Sequence, residues 1–337
     1  MVPEMSEASR SRMLDVARAA VVRAAQVTRA VQHDLDQIKV VTKDDRSPVT
    51  VADYAAQAVV AHWLQQELGP VRLVGEEHAA ALRTDDHAAL RRLVVEAVAP
   101  VWPEVDEAAL LDAIDLGTQD PDAAGFWTLD PVDGTKGFLR GGQYAVSLAW
   151  VVDGAVELGA LACPNLDPDP AHDLTTPGRG LLAVAARGEG ARQAELRADA
   201  ELAPLAPPGP SSDTIRTCES VEAGHSDHGA NAKILEAAGL VAAPVRLDSQ
   251  AKYLVVARGQ ADAYLRLPST KGYVEKIWDH AAGALVATEA GRVVSDFSGR
   301  ALDFGHGRRL EENRGILAAH PEHHARLLAA IRKLGFG

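Results

Sequence analysis

The sequence has little of what would mark a secreted, membrane-bound or polyanion-binding protein. Cysteine is nearly absent: Cys163 and Cys218 are the 2 in 337 residues, with no CxxC pair. No disulfide framework can be built from them, and reduced thiols in a cytoplasmic setting are the expectation. Aromatics are 4% of the chain, so an aliphatic core of Ala, Val and Leu must fill its interior. No apolar run approaches the ~20 residues that cross a bilayer. The opening MVPEMSEASRSRMLDVARAA lacks an apolar stretch followed by a cleavage site, and Glu4, Glu7 and Asp15 speak against an organellar leader. Basic residues are outnumbered, 34 Lys and Arg against 47 Asp and Glu, for a formal net charge of −13. Such a surface excludes broad contact with nucleic acid polymers or anionic membranes. A small anionic substrate then needs local positive charge, from metal ions or a few converging basic side chains. No protein partner is implied.

What is present is an ordinary globular composition, 47% hydrophobic and 24% charged, over a length that favours about two domains. Helical spacing of apolar residues runs over 11–38. A second helix follows from Thr50 to Leu68 and stops at Gly69-Pro70, and further helical stretches cover 88–98 and 104–114. VRLVG reads as a short strand ending at GEEH. FWTLDPVDGTKGF is a strand entering a turn, and two β-rich runs flank Asp153-Gly154 as a hairpin. GLLAVAARGEGA supplies another strand pair. The Pro-rich 205–213 stretch is the best linker, and strands then alternate with helices to the end, as in a layered α/β half. The expected division is an N-terminal α+β half, 1–165, and a C-terminal α/β half, 166–337.

Acidic residues recur where strands end or helices begin: Asp53 in VTVADYA, Glu76 in VGEEH, Asp130 and Asp133 in LDPVDGT, and Asp279 in IWDHAAG. Hard divalent cations such as Mg²⁺ take oxygen ligands and keep several waters. In Asp-Pro-Val-Asp-Gly-Thr, Pro131 is expected to fix a turn so that both carboxylates and the Val132 carbonyl converge on one side, Gly134 permits a tight backbone, and Thr135 presents a hydroxyl. Two such ions about 3.5–4 Å apart activate a water and stabilise a leaving oxygen. Each residue has a plainer explanation. Asp53 follows Thr50 at capping-box spacing, Asp279 can offset a helix dipole, Glu76 and Glu77 can be a solvated pair, and DPVDGT can be a turn. The plainer explanations weaken when all must hold together on one chain with this βα order.

DPVDGTKGF, VGEE and WDHAAGALVATEAG together resemble the signature segments of the inositol monophosphatase superfamily. SPVTVADYAAQ, DPVDGTKGFLRGGQYAVSLAWVVDG, ESVEAGHSDH, LDSQAKYLVVARGQADAYLRLP and EKIWDHAAG resemble, more narrowly, its lithium-sensitive 3′(2′),5′-bisphosphate nucleotidases. The resemblance covers about Lys43 to Leu317. It implies a layered α/β/α/β/α fold and cytoplasmic hydrolysis of adenosine 3′,5′-bisphosphate to AMP, with two or three Mg²⁺ ions. Glu76, Asp130, Asp133, Asp279 and the Val132 carbonyl would be metal ligands. Asp53 paired with Thr135 would orient and deprotonate the water. Thr135, His225, Ser249, Lys252, Arg266 and Asp279 would hold the nucleotide, Lys252 and Arg266 clamping the phosphate that is not cleaved. A phosphatase of inositol phosphates or fructose bisphosphate is the alternative within the superfamily. A catalytically dead nucleotide sensor is the alternative outside enzymes, and it would usually have lost an acid that this chain keeps.

Overall fold

The computed structural model describes residues 6–35, 47–222, 228–267 and 272–336. Helix α1 (Glu7–His33) is capped by the Ser6 hydroxyl, which accepts from the Ser9 N–H at 3.2 Å. It buries a stripe of small residues, including Ala17, Ala20, Val21, Ala24 and Val31, that lets α2 (Ser47–Leu68) pack closely against it. Between Val51 and Leu64, α2 is apolar almost all round and correspondingly buried. Short α3 (Ala88–Val98) and α4 (Glu107–Asp115) pack on its far side.

The first sheet has seven strands in chain order: β1 (Leu73–Gly75), β2 (Phe126–Asp133), β3 (Ala145–Val152), β4 (Ala155–Cys163), β5 (Leu181–Ala186), β6 (Ala191–Glu195) and β7 (Ala203–Pro204). β1 runs parallel to β2, and every later pair is antiparallel. The expected β3–β4 hairpin closes at Asp153 (φ 47°) and Gly154 (φ 74°), the two positive-φ positions of a type I′ turn. The second sheet, in order β11-β12-β10-β8-β9, is built from β8 (Thr214–Glu219), β9 (Val241–Arg246), β10 (Ala263–Arg266), β11 (Val293–Ser295) and β12 (Ile316–Ala319). The change of sheet falls in the Pro-rich 205–213 stretch and not at 165/166, because β5 to β7 stay with the first sheet.

Layers follow from which faces are apolar. Helices α1 and α2 cover one face of the first sheet. Two buried helices, α7 (Ala251–Ala257) and α8 (Ala281–Glu289), lie between the sheets. α6 (His228–Ala237) and α9 (Pro321–Leu334) close the outer face of the second. This is the α/β/α/β/α order that the family resemblance implies. Cys163 on β4 and Cys218 on β8 are buried, free thiols in different sheets. Among the described residues no helix is long and apolar enough to cross a membrane.

Candidate active site

The site forms where the C-terminal ends of β1 and β2 meet the loops before α7 and α8. Side chains three apart on a strand face opposite ways. Asp130 and Asp133 share a face because β2 bulges between them: Asp130 pairs with Ser147 and Asp133 with Ala145, so β2 takes one step more than β3. Pro131 occupies that bulge, a place where a strand tolerates a residue without an N–H. The DPVD segment is thus strand, and the turn begins only at Gly134. Gly134 has φ 88°, and a Cβ there would lie 2.9 Å from that of Ser249, so backbone freedom and close approach both require glycine. Thr135 follows at the start of the one-turn helix α5 (Thr135–Leu139), exposed at the mouth.

Asp53 enters from α2. The helix already includes Thr50, so Asp53 is not the third residue of a capping box. Gln57, one turn on, holds the acidic loop after β1: its Nε2 donates to the carbonyls of Glu77 and Ile114 at 2.7 Å each, and its Oε1 accepts from the Glu77 N–H at 3.1 Å. A Cβ on either Gly75 or Gly117 would sit 2.4 Å from that amide. Asp279 precedes α8, outside its first turn, which begins at Ala281 after the cap His280.

Asp53 and Asp130 are buried, Asp133 and Asp279 are half-buried, and Glu76 is exposed. Burial first, then Glu77 and Glu76, raises the Asp53 carboxyl well above its ordinary range. Asp130 is raised likewise by burial and then by Glu76, Asp133, Asp279 and Asp53. Asp279 rises through burial and Asp133, against the pull of Arg266. Glu76, though reachable by solvent, is so surrounded by protein that it is pushed up to about 7, with Glu77 and Asp133 adding to that and a bond to Asp130 opposing it. Asp133 is raised by burial, while Lys252, the Gln250 N–H and Arg266 resist. Burial is the first cause of every rise, and for Asp53, Glu76, Asp130 and Asp279 the neighbouring acids add to it. An all-oxygen, acidic donor set fits hard divalent cations such as Mg²⁺ and not soft ones.

The basic residues sit differently from the sequence expectation. Arg266 does not present a free guanidinium: Nε and Nη2 both reach Glu275, each at 2.8 Å. Glu275 in turn accepts from His280 Nε2 at 3.2 Å, and the Tyr253 hydroxyl contacts His280 Nδ1 at 2.9 Å. Glu275, Asp279 and His280 are the one group among the described residues whose donor atoms lie within 4.8 Å of one another. A cation there would compete with Arg266 for Glu275, whose carboxyl is held at about 2. Lys252 is buried, donates to the Leu247 carbonyl at 3.2 Å, and is drawn down to about 8 by burial against the pull of Asp133. Ser249 has φ 67°, and its hydroxyl accepts from the Ala251 N–H at 3.1 Å. Asp53 and Thr135 make no hydrogen bond to each other among the described residues, and His225 lies outside them. The sequence reading missed Gln57, Gln250, Glu275 and His280. Helical spacing from Asp53 was the available signal for Gln57, whereas Glu275 lies in a non-helical stretch where spacing from Asp279 gives none.

The profile of the inositol monophosphatase family matches residues 9–335. A protein of Emericella nidulans named 3′(2′),5′-bisphosphate nucleotidase is 41% identical over 345 residues, covering 95% of this chain and 97% of its own. One of the same name from Schizosaccharomyces pombe is 41% identical over 321 residues, covering 90% of each. Among solved structures, CysQ of Bacteroides thetaiotaomicron, described as a bacterial member of the inositol monophosphatase family, superposes with a TM-score of 0.61 at 20% identity, over 90% of this chain and 96% of its own. At that identity the likeness is one of fold.

Proposed function

The chain belongs to the inositol monophosphatase family, and we propose that it is a cytoplasmic, lithium-sensitive, Mg²⁺-dependent 3′(2′),5′-bisphosphate nucleotidase. It converts adenosine 3′,5′-bisphosphate and water to AMP and phosphate. The observation that carries this reading is the set of carboxyls on the β2 bulge, after β1 and in the loop before α8, each raised first by burial, with Glu76, Asp130 and Asp279 raised further by one another or by Asp133. Its occurrence in a chain 41% identical to a relative of that name supports the substrate.

Glu76, Asp130, Asp133, Asp279 and the Val132 carbonyl would hold two or three Mg²⁺ ions, which supply charge neutralisation for the phosphate and acidify water. Asp53, buried and oriented by α2, takes the proton of the attacking water. Thr135, exposed at the start of α5, presents its hydroxyl to that water and to the phosphate. Ser249, Lys252, Arg266 and His225 form the nucleotide side. Lys252 acts as a buried cation behind Asp133. Arg266 acts as the cationic end of its pair with Glu275, which fixes the guanidinium in place. The partner is a small nucleotide bisphosphate, and neither nucleic acid polymer nor membrane is needed.

Phosphate release should be measured in parallel from adenosine 3′,5′-bisphosphate, AMP, inositol 1-phosphate and fructose 1,6-bisphosphate with Mg²⁺. The highest kcat/KM is expected on the nucleotide bisphosphate and the lowest on AMP. A preference for inositol 1-phosphate or fructose 1,6-bisphosphate would replace the substrate assignment.

A further inference from the structure

Asp279 comes from the loop before α8, whereas Asp130, Asp133 and Glu76 come from the first sheet. Their relative placement is therefore a tertiary matter, set by whatever bridges the two. Among the described residues two that do so are Gln250 and Arg308, and both meet at Trp278, the residue before Asp279. Gln250 is buried. Its backbone N–H donates to the Asp133 carboxylate, its Nε2 donates to the Trp278 carbonyl at 2.8 Å, and its Oε1 accepts from the Gly283 N–H at 2.9 Å. Arg308 is the second. Its Nη2 donates to the carbonyl of Gly75, the residue before Glu76. Its Nη1 donates to the Gln119 carbonyl at 3.2 Å, and its guanidinium lies 5.0 Å from the Trp278 ring centroid. The segment carrying Arg308 is itself laced to the loop before Asp279, through Ile277 N–H to the Arg308 carbonyl at 3.3 Å and Leu310 N–H to the Glu275 carbonyl at 2.9 Å.

Resting on the metal-dependent reading above, we propose that Gln250 and Arg308 are positioning residues that set the spacing of Asp279 against Asp133 and Glu76, and with it the affinity for divalent cations. Neither side chain is placed to be a ligand. Gln250 joins Asp133, through its backbone N–H, to Trp278, through its side-chain amide, and the Arg308 guanidinium joins the Gly75 carbonyl to the Trp278 ring, so each links a strand-end backbone or carboxylate of the first sheet to the Asp279 loop. Partners that orient metal ligands in this way typically change affinity by about 10–100-fold when removed.

The test is calorimetric titration of the full-length chain with Mg²⁺ alone, without nucleotide, alongside a thermal melt in chelator. Arg308→Ala and Gln250→Glu should each weaken Mg²⁺ binding by about 10–100-fold, with KM for nucleotide at saturating Mg²⁺ unchanged. Gln250→Glu keeps the acceptor for Gly283 but loses the donor to Trp278. Arg308→Lys should recover only part of the loss, because one ammonium cannot serve both carbonyls with the geometry of a planar guanidinium. Wild-type Mg²⁺ affinity in folded Arg308→Ala, with only a lower melting temperature, would overturn the proposal. If Gln250→Glu does not fold, the half-buried Arg308 decides the matter alone. Absence of Mg²⁺ binding in the unaltered chain is a different failure: it removes the metal-dependent reading itself, and the positioning role with it.

Discussion

The amide of Gln57 pairs with both backbone groups of Glu77, donating to its carbonyl at 2.7 Å and accepting from its N–H at 3.1 Å. Asp53 and Gln57 are one helical turn apart on α2, so the helix that carries the proposed base also fixes the loop that carries Glu76. Gln57→Leu would keep the volume and leave the Glu77 and Ile114 carbonyls and the Glu77 N–H without this partner. Each such orphaned group costs about 1–3 kcal/mol when buried. A loss of at least that size is expected in denaturant unfolding, together with weaker Mg²⁺ activation. Unchanged stability would mean that the loop finds other partners.

The acids should make the metal-free protein less stable as pH rises. A carboxyl whose pKa is higher folded than unfolded keeps its proton longer in the native chain, so stability declines as pH passes from the unfolded value to the folded one. For Glu76 that window runs from its ordinary 4.5 to about 7, and the raised Asp53, Asp130 and Asp279 act in the same sense. Melting temperature in chelator should fall across this window, and Mg²⁺ should flatten the slope and release protons on binding. A chelated protein whose melting temperature rises over the same range would contradict the crowding.

Asp53→Asn separates chemistry from folding. The carboxyl is buried against Glu77 and Glu76, so the neutral amide should raise the melting temperature of the metal-free protein. Turnover should drop about 10²–10⁴-fold, the usual contribution of a proton-transfer group. Near-normal turnover would remove Asp53 from the mechanism.

Much of this arrangement was legible in the sequence, and the reasons differ by element. The α2 pattern, the Asp153-Gly154 turn and the strand–helix alternation after 213 are local signals, and they fold as read. β11 is three residues long and α5 is one turn, too short for periodicity to register. DPVDGT read as a turn, yet the chain stays in strand through Asp133, because pairing with β3 absorbs the extra residue as a bulge. The plainer explanations of Asp53 and Asp279 depended on helix boundaries, and those boundaries fall elsewhere. Arg266 was read as free to clamp a phosphate. Its pairing with Glu275 joins the end of β10 to the loop before α8, nine residues on, and no spacing rule announces it. Gln250 and Arg308 gain their places only from contacts across the two sheets.

That pairing changes what a substitution at Arg266 can report. Arg266→Ala would leave the nearly buried Glu275 with His280 as its one ion-pair partner among the described residues, and breaking a buried pair from one side costs about 3–5 kcal/mol. A melting-temperature drop of several degrees is therefore expected before any effect on substrate is read. Arg266→Lys keeps the charge while losing the bidentate geometry. It should lower kcat/KM for adenosine 3′,5′-bisphosphate by about tenfold, the value of one charge-assisted hydrogen bond, and leave inositol 1-phosphate hydrolysis nearly unchanged. Equal losses on both would assign Arg266 to holding the loop of Asp279 and not to the second phosphate.

The central claim is that this chain removes the 3′-phosphate of a nucleotide bisphosphate with divalent cations held by Glu76, Asp130, Asp133 and Asp279. Phosphorus NMR of adenosine 3′,5′-bisphosphate incubated with the enzyme follows both phosphates at once, with Mg²⁺ and with excess chelator. The account predicts loss of the 3′ signal, growth of inorganic phosphate, a persisting 5′ signal from AMP, and no change at all in chelator. Release of the 5′-phosphate, or turnover that persists in chelator, would contradict it.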